Sequence, residues 1–391
     1  MSAPLELEDA QARLLGLLSP PPARACPVDE SAGLFLAQPV IARRTQPSAD
    51  LSAMDGYAVP DAAPGQRFTV IGESAAGARF EGSVGPGQAV RIFTGAPVPE
   101  GADFVVIQED TTRRGDLIML GHDIGPKTNI RPAGGDFHTG DTMDAPRLLR
   151  PADIALLASM NVATVPVYTK PRVAIIATGD ELVQPGEVPN PDQIIASNTY
   201  GLAALLEQHG AQCRMIPIAR DTVPSLTQAF TMAQDADLII TIGGASVGDH
   251  DLVAPVAAQM GMEQAFYKVA MRPGKPLMAG RLRDVPMIGL PGNPVSAMVC
   301  GTVFVVPVLR KMLGLPAAPA ARIDLPLCVD LPANGPREHY MRAMLRDGAV
   351  LPEDNQDSSL LGILSRADVL MVRPPHDGAR TAGEIIGCIP L

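Results

Sequence analysis

Residues 285–294 read Val-Pro-Met-Ile-Gly-Leu-Pro-Gly-Asn-Pro, and 295–306 continue Val-Ser-Ala-Met-Val-Cys-Gly-Thr-Val-Phe-Val-Val. The first apolar run reads as a buried strand and the long one after Pro294 as a helix. Between them Pro291, Gly292, Asn293 and Pro294 force a tight turn, with Asn293 as N-cap and Pro294 at the first helical position. Backbone N–H groups at such a helix start, together with the helix dipole, favour an anion above the strand end. The stretch is therefore a strand–turn–helix of an α/β sheet with an anion seat at its carboxyl edge.

The surrounding sequence repeats the pattern. Strands are expected at 173–177, 215–218 and 238–242. Helices are expected at 198–208 (Ser197 as cap, Gly210 at the end), 225–233 and 252–260. Repeated βα units with apolar strands imply a parallel sheet covered on both faces. Upstream, 5–18 reads as an amphipathic helix, 65–135 as a small all-β module, and 151–161 as a helix opened by Pro151. The Pro-Ala-rich run after Leu315 reads as a linker, and 322–391 as a separate β domain.

At 391 residues the chain is expected to form about two to four domains. An apolar content of 46% supports real cores, while 37 Gly and 39 Pro imply many turns. A net charge of −11 argues against general nucleic-acid binding. The absence of a long uncharged apolar run and of a basic N-terminal leader leads to the expectation of a cytoplasmic protein that spans no membrane. Five scattered cysteines without a CxxC argue against a disulfide framework or a thiolate zinc site.

Three loops follow strands: Thr178-Gly-Asp-Glu181, Gly243-Gly-Ala-Ser-Val-Gly-Asp-His-Asp251, and Pro291–Pro294. In a parallel sheet they share one edge, where ligands bind. Glycines there, Gly243 and Gly244 among them, let main-chain amides approach a phosphate. Glu181, Asp221 and Asp251 share that edge and offer hard oxygens suited to Mg²⁺ beside a phosphate. His250, between two aspartates, reads as an exposed loop residue. Arg272 and Lys275 lie three apart in Met271-Arg-Pro-Gly-Lys-Pro276, a segment stiffened by prolines that presents two cations for anion capture. Gly244-Ala-Ser-Val-Gly248 matches the GxSxG elbow of α/β-hydrolases, with Ser246 as nucleophile. That elbow runs straight into a helix, whereas here Asp249-His-Asp251 intervenes, which disfavours an esterase. Ser52–Ala58 and Thr94–Pro99 read only as turns.

Together these segments resemble the molybdopterin molybdenumtransferase family, related to the C-terminal part of gephyrin. The matching runs are Ser-Ala-Met-Asp-Gly-Tyr-Ala-Val (52–59), Arg-Ile-Phe-Thr-Gly-Ala-Pro-Val-Pro-Glu-Gly-Ala-Asp (91–103), Asn-Ile-Arg (129–131), Ala-Thr-Gly-Asp-Glu-Leu (177–182), Gly-Gly-Ala-Ser-Val-Gly (243–248), Arg-Pro-Gly-Lys-Pro (272–276) and Leu-Pro-Gly-Asn-Pro-Val-Ser-Ala (290–297). They occur in family order along essentially the whole chain. Arg272 stands where the family often has Lys, and Asp357 where Gly is common.

The resemblance implies a multidomain α/β plus β fold. Its parts are a discontinuous N-terminal domain (1–44 and 137–170), an inserted small β domain (45–136), a doubly wound parallel-sheet domain that binds molybdopterin (171–315) and a C-terminal β-barrel (316–391). It implies a homodimer whose cleft lies between the α/β domain of one subunit and the β module of the other, which gives Asp55 and Thr94 a role. The implied reaction inserts molybdate into adenylylated molybdopterin with hydrolysis of the adenylate. Glu181, Asp221 and Asp251 would then hold Mg²⁺. Arg272, Lys275, Ser296, Arg342 and Ser358 would hold molybdate or pterin phosphate, with Asp136, Gly243, Gly244 and Ser246 at binding positions; Ser246 needs no nucleophilic role. A molybdopterin adenylyltransferase is an implied protein partner. The same residues leave two rivals, an adenylyltransferase or related nucleotide hydrolase and a non-catalytic dimeric scaffold.

Overall fold

The computed structural model describes residues 4–19, 22–244 and 252–391. The chain divides into two compact units: Met1–Arg24, Gly33–Phe35 and Tyr168–Leu391 form one, Ala25–Ala32 and Leu36–Val167 the other.

The larger unit is organised by runs of β-branched and aliphatic residues. Leu238–Ile242 is buried at every position, and Arg172–Thr178 at every position but its first. Such strands need cover on both faces, and the alternation of side chains shows how it is provided. Val173, Ile175, Leu238 and Ile240 share one face with Leu202 and Leu206 of the Asn198–Gln208 helix. Ala174, Ile176 and Ile239 share the other with Leu226 and Phe230 of the Val223–Met232 helix. The six-stranded sheet has the spatial order Gln212–Ala219, Arg172–Thr178, Leu238–Ile242, Val285–Leu290, Pro276–Leu282, Met262–Lys268.

The first four of these strands are parallel, as the βα pattern predicts. The last two run antiparallel to their neighbours, which the sequence reading does not anticipate. The reason is local. Leu282 pairs with Val285, so only Arg283 and Asp284 connect the strands, and Arg283 takes φ 56°. A two-residue connection with a left-handed residue makes a hairpin, not a crossover.

The expected helix after Pro294 runs to Met312, with a π-helical segment at Gly301–Val305 between two α segments. Pro307 cannot donate to the carbonyl of Val303; Gln11 Nε2 donates to it instead, at 2.9 Å. This hooks the N-terminal helix, Leu7–Gly16, onto the long one, while Leu7, Ala10 and Leu14 join the same core. Pro294–Met312 is long and apolar enough to cross a membrane by length and composition, yet 78% of that window is buried inside the protein. Ser197, expected as a helix cap, takes helical dihedrals and makes no cap bond.

Beyond residue 322 five strands form a ring. Ile323–Pro326 pairs with Ile385–Pro390, then Val369–Arg373, Glu338–Arg346 and Ala349–Pro352 follow in turn. A bridge from Leu327 to Val350 returns to the first strand and closes the expected barrel. Its interior is filled by Ala343, Val350, Val369, Met371 and Ile386.

The smaller unit holds a six-stranded sheet in the order Phe104–Ile107, Gly56–Val59, Gln88–Ile92, Arg67–Ser74, Leu117–Leu120, Thr111–Arg114. The expected Pro151 helix forms at Pro151–Ser159, with Asp153 accepting from Arg150 N at 2.9 Å and pairing with Arg147 at 2.7 Å. All five cysteines of the chain are free thiols.

Close packing also fixes one residue of this unit. A Cβ at Gly56 would stand 1.9 Å from the carbonyl oxygen of Val106 on the neighbouring strand. Gly56→Ala is expected to destabilise this unit by about 2 kcal/mol, the usual scale of overpacking, seen as a lower midpoint in thermal unfolding.

Candidate functional site

Strand order decides where a ligand can enter. Successive connections from Arg172–Thr178 and Leu238–Ile242 leave toward opposite sides of the sheet, so a crevice opens between their carboxyl ends. A cleft of about 760 Å³ lies there, lined by Gly179, Glu181, Asp221, Gly243, Gly244 and the Pro291–Pro294 turn. The structure thus brings together the two described carboxylates, the two glycines and the turn.

Each loop is held by identifiable contacts. A Cβ on Gly179 would stand 2.5 Å from Glu181 Oε2, so glycine is what allows the carboxylate to fold back against the strand end. Arg220 clamps the same loop: its Nη1 donates to the carbonyls of Asp180 at 2.7 Å and Leu182 at 3.1 Å. Asp180 Oδ1 accepts from Asp221 N at 3.1 Å, tying the two acidic loops. Asp180 is therefore a loop tie, while Glu181 and Asp221 line the cleft. Gly243, at φ 94°, lets the next loop approach; a Cβ there would be 2.7 Å from the carbonyl oxygen of Thr178. Thr178 Oγ1, buried in the cleft wall, has no hydrogen-bond partner among the described residues.

The Pro291–Pro294 turn departs from expectation in one respect. Asn293 occupies the N-cap position with extended dihedrals, and Pro294 starts the helix, but the Asn293 side chain makes no cap bond. Its Nδ2 donates to Ser358 Oγ at 3.0 Å, and the carbonyl of Ser358 accepts from Val295 N at 3.0 Å. Asn198 Nδ2 holds the carbonyl of Gly292 at 2.7 Å. Ser358 is thus the cap, supplied from 63 residues beyond Val295. Ser296 sits buried in the first helical turn.

The cationic segment is built at the domain's edge. Met271–Arg272 pairs in parallel with Glu338–His339, and the carbonyl of Lys275 accepts from Val269 N. Arg272 and Lys275 are exposed and form no salt bridge among the described residues, while Pro276 reaches the cleft wall. Arg342 is different from what the resemblance implies. It is 1% exposed, and its guanidinium is spent on the 355–357 loop, donating to Gln356 Oε1 at 3.1 Å and the Asp357 carbonyl at 2.7 Å. Burial this complete leaves it no face for an anion; it holds the loop that carries Ser358.

His339 reports the local field. Its pKa is pushed down to about 4, first by burial and then by Arg272, Arg342, Arg337 and Arg373. A field that opposes a proton on His339 favours an anion near Arg272. The unfolded chain takes up this proton near pH 6.5 and the folded chain only near 4. Stability from this group is therefore complete above pH 6.5 and declines as pH falls from there toward 4. His339→Gln is expected to flatten that decline, measured as unfolding midpoints at pH 7 and pH 5.

Asp55, Thr94 and Asp136 belong to the smaller unit and are exposed. Asp55 Oδ1 accepts from Thr94 N at 2.7 Å and Thr94 Oγ1 at 2.8 Å. These bonds, with Arg91 nearby, hold its carboxyl below the usual range. The two turns are thus one built feature, which their separation in sequence conceals. Ser246, His250 and Asp251 lie outside the described residues. Arg220, Asn198 and Ser358's capping role escape the sequence reading; only the Arg220-Asp221 pair after a strand hints at the first.

Comparison with known proteins agrees with this architecture. Family models match along the chain: "MoeA N-terminal region (domain I and II)" over residues 5–161, "Probable molybdopterin binding domain" over 174–311 and "MoeA C-terminal region (domain IV)" over 324–391. A molybdopterin molybdenumtransferase of Nostoc is 39% identical over 295 residues, covering 72% of this chain and 68% of its own. One from Haemophilus influenzae is 37% identical over 316 residues, covering 79% and 78%. Molybdopterin molybdenumtransferase 2 of Mycobacterium tuberculosis is 35% identical over 374 residues, covering 90% and 92%. The crystal structure of a molybdopterin biosynthesis moea protein from Pyrococcus horikosii superposes with a TM-score of 0.86 at 27% identity, covering 99% of both chains. The chain belongs to the molybdopterin molybdenumtransferase family of enzymes.

Proposed function

We propose that this enzyme inserts molybdenum into adenylylated molybdopterin and releases the adenylate, the last step of molybdenum-cofactor synthesis. The observation that carries the reading is the cleft in which Glu181 and Asp221 share walls with the Pro291–Pro294 turn at the sheet's carboxyl edge. Paired carboxylates beside an anion seat suit a phosphoanhydride, whose charge is handled by a cation on one side and main-chain donors on the other.

Glu181 and Asp221, with Asp251, are the residues that would hold Mg²⁺. Their hard oxygens fit that ion, and substrate phosphate oxygens would complete its shell. When bound, Mg²⁺ neutralises charge on the pyrophosphate. The chain's own groups do the rest. Lys275 and Arg272 draw molybdate in by charge, Ser296 and Ser358 supply hydroxyls at the turn, and the rigid loops fix the reacting groups in line.

In this reading the chain has four parts, 1–44 with 137–170, 45–136, 171–315 and 316–391. The enzyme acts in the cytoplasm as a homodimer in which Asp55, Thr94 and Asp136 of one subunit serve substrate held by the other. It receives that substrate from a molybdopterin adenylyltransferase. Mixing inactive Asp55→Ala and Glu181→Ala proteins tests the arrangement. Random exchange leaves one intact site in each heterodimer and restores about a quarter of wild-type activity. No recovery after verified exchange would overturn the shared site.

A further inference from the structure

A second cavity adjoins the cleft. At about 320 Å³ it has the size of a small-ligand pocket. Ala177 and Thr199 line both spaces, so the two cavities share a wall and a ligand seated in the cleft lies next to the second one. The two differ in chemistry. The cleft carries Glu181, Asp221 and the anion turn, whereas among the described residues no Asp, Glu, Lys, Arg or His lines the second cavity.

Its walls are Met215, Ile216, Pro217 and Ile218 along one side, with Tyr200 and Gln184 as the principal polar groups. Tyr200 is 42% exposed and Met215 46%, so an aromatic ring and a thioether face solvent where a folded protein ordinarily shields them. Tyr200 Oη donates to Gln184 Oε1 at 2.9 Å, which fixes the amide and leaves its NH₂ group without a partner among the described residues. The strand Gln212–Ala219 is also the edge of its sheet, so its outward main-chain groups have no strand partner.

The geometry points to a purine subsite: this pocket receives the base of the adenylyl half of the substrate, and Tyr200 and Gln184 select for it. The inference rests on the proposed reaction for the identity of the nucleotide. A purine fits because it is uncharged, planar and polarizable. It stacks on aromatic and thioether groups and needs few hydrogen bonds, here the Gln184 amide and an edge of main chain. The adenylate's ribose then spans from the phosphate at the cleft to the shared wall at Ala177 and Thr199.

Calorimetric titration of the full-length protein with AMP, ribose 5-phosphate and inorganic phosphate tests this. AMP is expected to bind about tenfold more tightly than ribose 5-phosphate, the scale of one stacked base. Tyr200→Ala and Gln184→Ala should each remove most of that advantage and leave phosphate binding unchanged, while Tyr200→Phe keeps the ring and most of the advantage. Equal affinity for AMP and ribose 5-phosphate in the wild type would overturn the subsite. So would an advantage that survives both alanine variants, or variants that weaken molybdopterin but not AMP. A parallel insertion assay separates the two readings. Insertion without base preference overturns the subsite alone, whereas base preference without insertion upholds it and removes the reaction it was drawn from.

Discussion

Glu181→Ala is expected to lower molybdate-dependent AMP release about 10²–10³-fold, the scale of removing one key electrostatic group from an active site. The thermal midpoint should barely move. Glu181 is exposed at the cleft, and its carboxylate makes no hydrogen bond among the described residues. Its contact with the glycine of the same loop is one that alanine does not need. Truncation therefore removes charge without removing packing, and surface changes of that kind stay within about 0.5 kcal/mol. Asp221→Ala should behave alike in turnover. Raising Mg²⁺ should partly restore either variant, because the remaining carboxylate and the substrate phosphate still offer oxygens. Unchanged turnover in both variants would remove the carboxylates from the mechanism.

Arg342→Met is expected to produce the largest loss of stability, about 3 kcal/mol in urea unfolding. Methionine fills much of the space, but it removes the donors to the part-buried carbonyls of Asp357 and Asn355 and to Gln356 Oε1. The consequence travels a short, traceable route. Released from Arg342, the 355–357 loop no longer fixes Ser358, which caps Val295 N and holds Asn293. Molybdate affinity should fall as well, together with stability and in proportion to it. Lost molybdate affinity at undiminished stability would instead make Arg342 a direct anion ligand.

The contrast between these two residues shows which parts of the site could be read in the sequence. Glu181 and Asp221 were legible because they follow apolar strands, and parallel strands deliver their carboxyl ends to one edge. The strand Leu238–Ile242 and the Pro291–Pro294 turn were legible for the same local reason, a run of β-branched residues broken by Gly and Pro. The barrel was visible only as alternation; its closure depends on the Leu327–Val350 bridge, which no local pattern encodes. The hairpin at Arg283-Asp284 was hidden because its left-handed position is held by Arg283, not by the Gly or Asn that usually marks such a turn.

Arg342 was misjudged for a related reason. A lone arginine in a sequence carries charge but no sign of what surrounds it, and here the surroundings are a loop 13 to 15 residues away. The Asn293 side chain likewise read as a cap, until Ser358 is seen to supply the capping carbonyl. Tertiary hydrogen bonds decided both cases, and they are the information that spacing lacks.

The most direct test of the central claim follows AMP and molybdenum together. Purified enzyme is given adenylylated molybdopterin, Mg²⁺ and limiting molybdate, with tungstate as competitor, and released AMP is compared with molybdenum bound to the pterin. AMP release is expected to depend on the oxyanion and to match the metal inserted one for one, with loss of both in Glu181→Ala. AMP release indifferent to molybdate, or neither product under conditions where a family relative is active, would contradict it.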